Sequence, residues 1–142
     1  MKKWIIFFVL CSTPMATLVL PFALAQPSPI NENSWTEYIR TTRMPEAIGN
    51  AVLIDGTRPD LMTTEYAIEV DWGPKWAEGV GQALYYAKVT SRTPAVLILT
   101  KEGEDRNNDI KYVLRAITAL PRGSKVWWYD CNERNWVAGM GP

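Results

Sequence analysis

The stretch Ala67–Ala87, AIEVDWGPKWAEGVGQALYYA, decides the fold, because a strand period gives way to a helix period within it. Alternate side chains of a strand share a face, so Glu69 and Asp71 point one way while Ile68 and Val70 point into the core. Gly73 supplies a flexible corner, and Pro74 suits a first helical position, where its missing N–H is harmless. In the helix that follows, Lys75, Glu78 and Gln82 fall on one stripe, and Trp76, Val80, Ala83 and Ala87 occupy another.

Upstream, IDGTRPDLMT (Ile54–Thr63) stands close enough to form a hairpin with the acidic strand. A turn centred on Thr64 and Glu65 sets residues whose numbers sum to 129 opposite each other, pairing Asp60 with Glu69 and Arg58 with Asp71. Two opposed carboxylates about 5 Å apart repel unless a proton or a cation lies between them, which points to a divalent metal. Each group also has a plainer reading. Asp71 forms a cross-strand ion pair with Arg58, Lys75 and Glu78 belong to a solvated helix face, and Asp60 is a turn residue after proline.

The segment RPDLMTTEYAIEVD, with Arg58, Pro59, Asp60 and Glu69, resembles the PD-(D/E)XK nuclease superfamily. This superfamily has the restriction-endonuclease-like fold and includes Holliday-junction resolvases. Asp55 to Ala87, with DGTR, AIEVD, KWAE and GQALYYA, is similar to small bacterial proteins of that type. The resemblance implies Asp60 and Glu69 as ligands of Mg²⁺ or Mn²⁺, the Val70 carbonyl as a further ligand, and Gln82 as a helix residue near the ion. It implies a Mg-dependent endonuclease in which Lys75 stabilises developing charge and Asp71 adds a fourth ligand. Two positions depart from the pattern. Asp71 stands where the family has lysine, a charge that the long side chain of Lys75 can supply by reaching back over the strand end. The first-helix glutamate has no clear counterpart, since neither Glu37 nor Glu46 sits at a matching offset.

The 142 residues suit one domain, and a 47% hydrophobic composition is ample for a core. The first 25 residues, MKKWIIFFVLCSTPMATLVLPFALA, read as a secretory signal cleaved before Gln26, with lysines at positions 2 and 3, an apolar run and a small-x-small ending at Ala23–Ala25. Export to a periplasm or the exterior follows. Trp4–Ala25 is also long enough to serve as an uncleaved membrane anchor, although Pro14 and Pro21 interrupt a helix of that length. Cys11 follows Leu10 rather than a small residue, which argues against a lipoprotein site.

Cleavage leaves 117 residues with 13 basic and 15 acidic side chains, a net charge near −2. Any nucleic-acid contact therefore depends on a local basic patch, for which Arg40, Arg43, Arg58 and Lys75 are candidates. With no histidine, Ser-His-Asp and Cys-His catalysis and His-ligated metals are excluded. Cys131 alone remains after cleavage, which excludes an intramolecular disulfide and a cysteine zinc site. It reads as a tucked-away small residue.

The rest of the chain supplies a scaffold. Residues 26–33 read as a flexible leader, followed by a helix from Trp35 to about Met44 capped by Ser34, with residues 34–142 forming the domain. Ala51–Ile54 reads as a short strand, Ala95–Leu99 as a strand buried on both faces, and Ile110, Val113, Leu114 and Ile117 as the apolar stripe of a helix ending before Pro121. Lys125–Tyr129 and Asn135–Ala138 read as a strand and a closing hairpin partner. Trp72 and Trp76 flank the site, either stacking on bases or covering the core. The order αβββαβαβ gives an α/β, restriction-endonuclease-like three-layer sandwich with a mixed central sheet. A second reading keeps the scaffold but makes the chain a non-catalytic exported binding module.

Overall fold

A computed structural model describes residues 29–101 and 105–141. The signal segment, its membrane-anchor alternative and Cys11 lie outside the described residues, as does the start of the leader. The elements run α1 (Glu32–Arg43), β1 (Ile48–Gly49), β2 (Leu61–Met62), β3 (Tyr66–Trp72), a 3-10 turn (Gly73–Lys75), α2 (Trp76–Thr90), β4 (Thr93–Thr100), α3 (Arg106–Ala119), β5 (Lys125–Asp130) and β6 (Asn135–Met140). The six strands form one mixed sheet in the order β1-β2-β3-β4-β5-β6. β1, β2 and β3 pair antiparallel, β3 through β5 pair parallel, and β6 closes antiparallel against β5.

Each parallel step needs a helix to carry the chain back, and right-handed crossovers taken in one direction put both helices on the same face. That face is built from Val80 and Ala83 of α2 and Val113 and Ala116 of α3 against Val96, Ile98, Val126 and Trp128. The opposite face carries Trp35 and Ile39 of α1 against Ile68, Val70, Leu97, Leu99 and Tyr129. The result is an α/β sandwich in three layers. β4 lies between two parallel neighbours with helices over both faces, so Ala95 to Leu99 are fully buried, as the continuous apolar run anticipates.

The hairpin register is the one that the sequence reading gives. Leu61 pairs with Ile68 and Met62 with Ala67, and the Thr63 amide donates to the Tyr66 carbonyl at 2.9 Å across a turn centred on Thr64 and Glu65. Three local expectations differ. The first helix begins at Glu32, capped by Asn31, whose side chain accepts from the Ser34 amide while the Ser34 hydroxyl accepts from the Asn31 amide. Ser34 thus closes a reciprocal capping box from inside the helix. The first strand is Ile48–Gly49 rather than Ala51–Ile54, because Asn50 adopts a left-handed φ of 50° and the Leu53 amide turns to the Thr57 carbonyl. The inner stripe of α3 is Asp109, Val113, Ala116 and the following Leu120, which leaves Ile110 and Leu114 exposed.

Trp128 is buried with its indole N–H donated to the Thr100 hydroxyl at 3.0 Å, and Trp127 is half-buried on the other face. Cys131 is buried and packs in the α1-side core. No helix among the described residues is long and apolar enough to cross a membrane.

Candidate functional site

β3 directs Ile68 and Val70 toward α1, and Glu69 and Asp71 toward the face that α2 covers. Covering that face buries both carboxylates, Glu69 to 7% and Asp71 to 3% exposure, far more than a half-solvated strand would. The close approach is made at Gly79, where an added Cβ would stand 3.0 Å from Asp71 Oδ2 and 3.3 Å from its Cβ. A side chain there would push Asp71 back by a few tenths of an ångström, so glycine lets α2 settle closely onto the acidic strand.

β2 brings Asp60 to the same place, and the ladder explains how. Hydrogen-bonded and non-bonded pairs alternate along an antiparallel pair, and the bonded Thr63–Tyr66 pair makes positions 61–68 and then 59–70 bonded ones. Position 59 is proline, which has no N–H to give the Val70 carbonyl. The Val70 amide instead donates to Asp60 Oδ2 at 2.9 Å. N–H and C=O of one strand residue point to the same side, so the Val70 carbonyl is directed toward Asp60 with no ladder donor from Pro59.

The electrostatics are those of crowded acids. Burial, followed by the neighbouring Asp60 carboxylate, pushes the Glu69 carboxyl up to about 9. Burial also raises Asp60, against the lowering effect of the Val70 amide. Asp71 is pushed up to about 7, first by burial and then by the Glu32 carboxylate. One oxygen of Glu69 and one of Glu32 are buried without a hydrogen-bond partner. That of Glu32 faces the Lys75 ammonium at 3.8 Å, so it is Glu69 whose oxygen calls for a proton or a cation.

Lys75 lies in the 3-10 turn, and its ammonium is 3.7 Å from Asp71 Oδ1 and 3.8 Å from Glu32 Oε2. The cation paired with Asp71 is therefore Lys75, where the sequence pairing offers Arg58; Arg58 itself is exposed. Glu78 is also exposed. Gln82 lies between Gly79, against Asp71, and Tyr86, whose hydroxyl is raised by burial and by the nearby Glu69 and Asp60 carboxylates. Positions 79, 82 and 86 share a helix face, which sets Gln82 over the acidic strand.

Glu32 is the member of the carboxylate cluster that the sequence reading misses. It enters from the first turn of α1, while Glu37 pairs with Arg40 at 2.6 Å on the exposed side of the same helix and Glu46 is exposed. The signal was present in Asn31-x-x-Ser34, a cap with its reciprocal partner three residues on, which moves the helix start upstream of Glu32. Tyr86, one turn beyond Gln82, is the other omission.

The donor set is all oxygen, which suits Mg²⁺ or Mn²⁺ rather than a soft metal. Among the described residues no three acidic or sulfur side chains stand together as a ready cage. The arrangement brings the Asp60 carboxylate to the Val70 amide, next to the Glu69 carboxylate on β3. Comparison with protein-family models, with curated proteins and with solved structures finds nothing that matches this chain.

Proposed function

We propose that this chain is a metal-dependent phosphodiester hydrolase of the PD-(D/E)XK, restriction-endonuclease-like type. The observation that carries the reading is the meeting of Asp60 and Glu69 across the β2–β3 register, with Pro59 leaving the Val70 carbonyl without its ladder donor. Asp60, Glu69 and the Val70 carbonyl would hold the ion, with Asp71 as an additional ligand. When bound, Mg²⁺ or Mn²⁺ supplies Lewis-acid polarisation of a phosphate and lowers the pKa of an attacking water.

The chain's own residues do the rest. Lys75, held by Asp71 and Glu32 over the strand end, takes the place of the family lysine and faces the negative charge that builds up on the phosphate. Gln82 orients water or a phosphate oxygen from the α2 face. The carboxylates stay partly protonated until a cation replaces the proton, so the site is assembled by its ion. The protein acts outside the cytoplasm after cleavage before Gln26, or tethered by the same segment as an anchor.

Incubation of the protein with supercoiled plasmid, branched DNA and RNA in Mg²⁺, Mn²⁺ or EDTA tests this. Cleavage should require the metal and fall to the EDTA background in Asp60→Ala and Glu69→Ala. A second reading, a non-catalytic exported binding module, is favoured by one observation: Lys75 is already engaged by two carboxylates. Wild-type protein inert on all three substrates in both metals, yet folded, would support that reading instead.

A further inference from the structure

A cavity of about 400 Å³ opens beyond the carboxyl ends of β3, β4 and β5, lined by Trp35, Trp72, Lys101, Cys131, Asn132 and Arg134, with Pro29 and Ile30 at its rim. This is the end of a parallel sheet where α/β folds place their ligands, and the volume suits a small organic group. The walls combine aromatic surface with cations. The Lys101 ammonium lies 5.0 Å from the centre of the Trp72 ring, and the Arg134 guanidinium 5.8 Å from that of Tyr38. Both charges are thus positioned by aromatic rings. The Arg134 loop is tied to α1 by the Arg43 guanidinium, which donates to the Arg134 carbonyl at 2.8 Å.

The cavity is joined to the carboxylate cluster through the chain. Trp72 directly follows Asp71 on β3 and faces the opposite side of the sheet, toward the α1 core. Ile30 leads into α1 two residues before Glu32, and Lys75 connects Glu32 to Asp71 around the end of that strand.

We infer that this cavity seats an unpaired nucleotide of a single-stranded segment, its phosphate at Lys101 and Arg134 and its base against the tryptophan-lined wall. The inference rests on the nuclease reading and adds a preference for unpaired over fully paired substrate. A base in a duplex is stacked between neighbours and cannot enter a cavity, whereas an unpaired one can be received by aromatic walls and cations.

Fluorescence anisotropy of a labelled oligothymidylate in EDTA measures this binding without cleavage. Wild type should bind it more tightly than a blunt duplex or an abasic strand of equal length. The Lys101→Gln/Arg134→Gln double variant should bind about tenfold more weakly, with a log–log salt slope shallower by about 1.4, the change expected for two lost phosphate contacts to a single strand. Lys101→Arg should retain binding, which separates lost charge from lost folding. Equal affinity for the abasic strand, or an unchanged slope in the double variant, would overturn the inference. Because the assay contains no metal, tight binding by a protein that cleaves nothing would refute the nuclease reading and leave the cavity standing. Metal-dependent cleavage without oligothymidylate binding would do the reverse.

Discussion

Glu69→Gln is expected to make the metal-free protein more stable at pH 8 while removing its capacity for a divalent ion. Glu69 is buried with one oxygen unpartnered, and its carboxyl is pushed up to about 9 from an ordinary 4.5. In that interval the native state holds a proton that the unfolded chain releases, so stability falls as pH rises from about 4.5 to 9. Glutamine keeps the shape, carries no charge, and its amide can donate to the Asp60 carboxylate. Removing the penalty should contribute several kcal/mol at pH 8, up to about 5 at roughly 1.4 kcal/mol per unit between 4.5 and 8, and so a rise in Tm of about 10 °C or more. The advantage should shrink to nothing near pH 4.5, where wild type is already protonated. Thermal melts of both proteins in EDTA at pH 5 and pH 8 check it; equal Tm values at pH 8 would show that the Glu69 carboxylate carries no burden in the metal-free state.

Leu61→Ala should have the largest effect in the opposite direction. Leu61 is fully buried in the α1-side core and is one of only two residues that pair β2 with β3. Truncating a buried leucine costs about 2–5 kcal/mol, for a domain of this size a fall in Tm of about 10–20 °C. The same truncation loosens the strand that carries Asp60, so the loss should extend to the site. At temperatures where Leu61→Ala is still folded, Mn²⁺ should protect it against thermal unfolding less than it protects wild type. Urea titration with and without Mn²⁺ reads both effects. An unchanged metal increment would mean that Asp60 is placed by something other than its strand.

What was legible in the sequence follows the strength of the local signals. The observed register coincides with a turn centred on Thr64 and Glu65, although no Asn-Gly type signal in the sequence marks that turn; a one-residue slip would have exchanged the faces of Ile68 and Glu69. Gly73-Pro74 marked the corner before α2, and the run Ala95–Leu99 marked a doubly covered strand. Glu32 was hidden because the Pro-rich, polar composition before it resembles a leader, and Ser34 offered a competing cap. Of the apolar stripe on α3, Val113 and Ile117 face the core while Ile110 and Leu114 are exposed: the buried face is rotated toward Asp109 and Ala116, where α3 packs against the sheet and α2. The burial of Glu69 and Asp71 could not be read from their strand, since it depends on α2 closing over them at Gly79.

The bond from the Val70 amide to Asp60 also gives the preceding proline a place in the site. Pro59 withholds a donor from Val70, and Asp60 accepts the amide that would otherwise have paired with position 59. Two adjacent residues thereby turn the frayed end of a ladder into a set of oxygen donors.

Hydrolysis as proposed requires that these oxygens capture a doubly charged cation. Isothermal titration of Mn²⁺ into wild type and Glu69→Gln at pH 7.5 tests for that capture. One site is expected in wild type, with protons released on binding, and no detectable site in Glu69→Gln. Identical Mn²⁺ isotherms for the two proteins, or a flat trace for wild type, would contradict it.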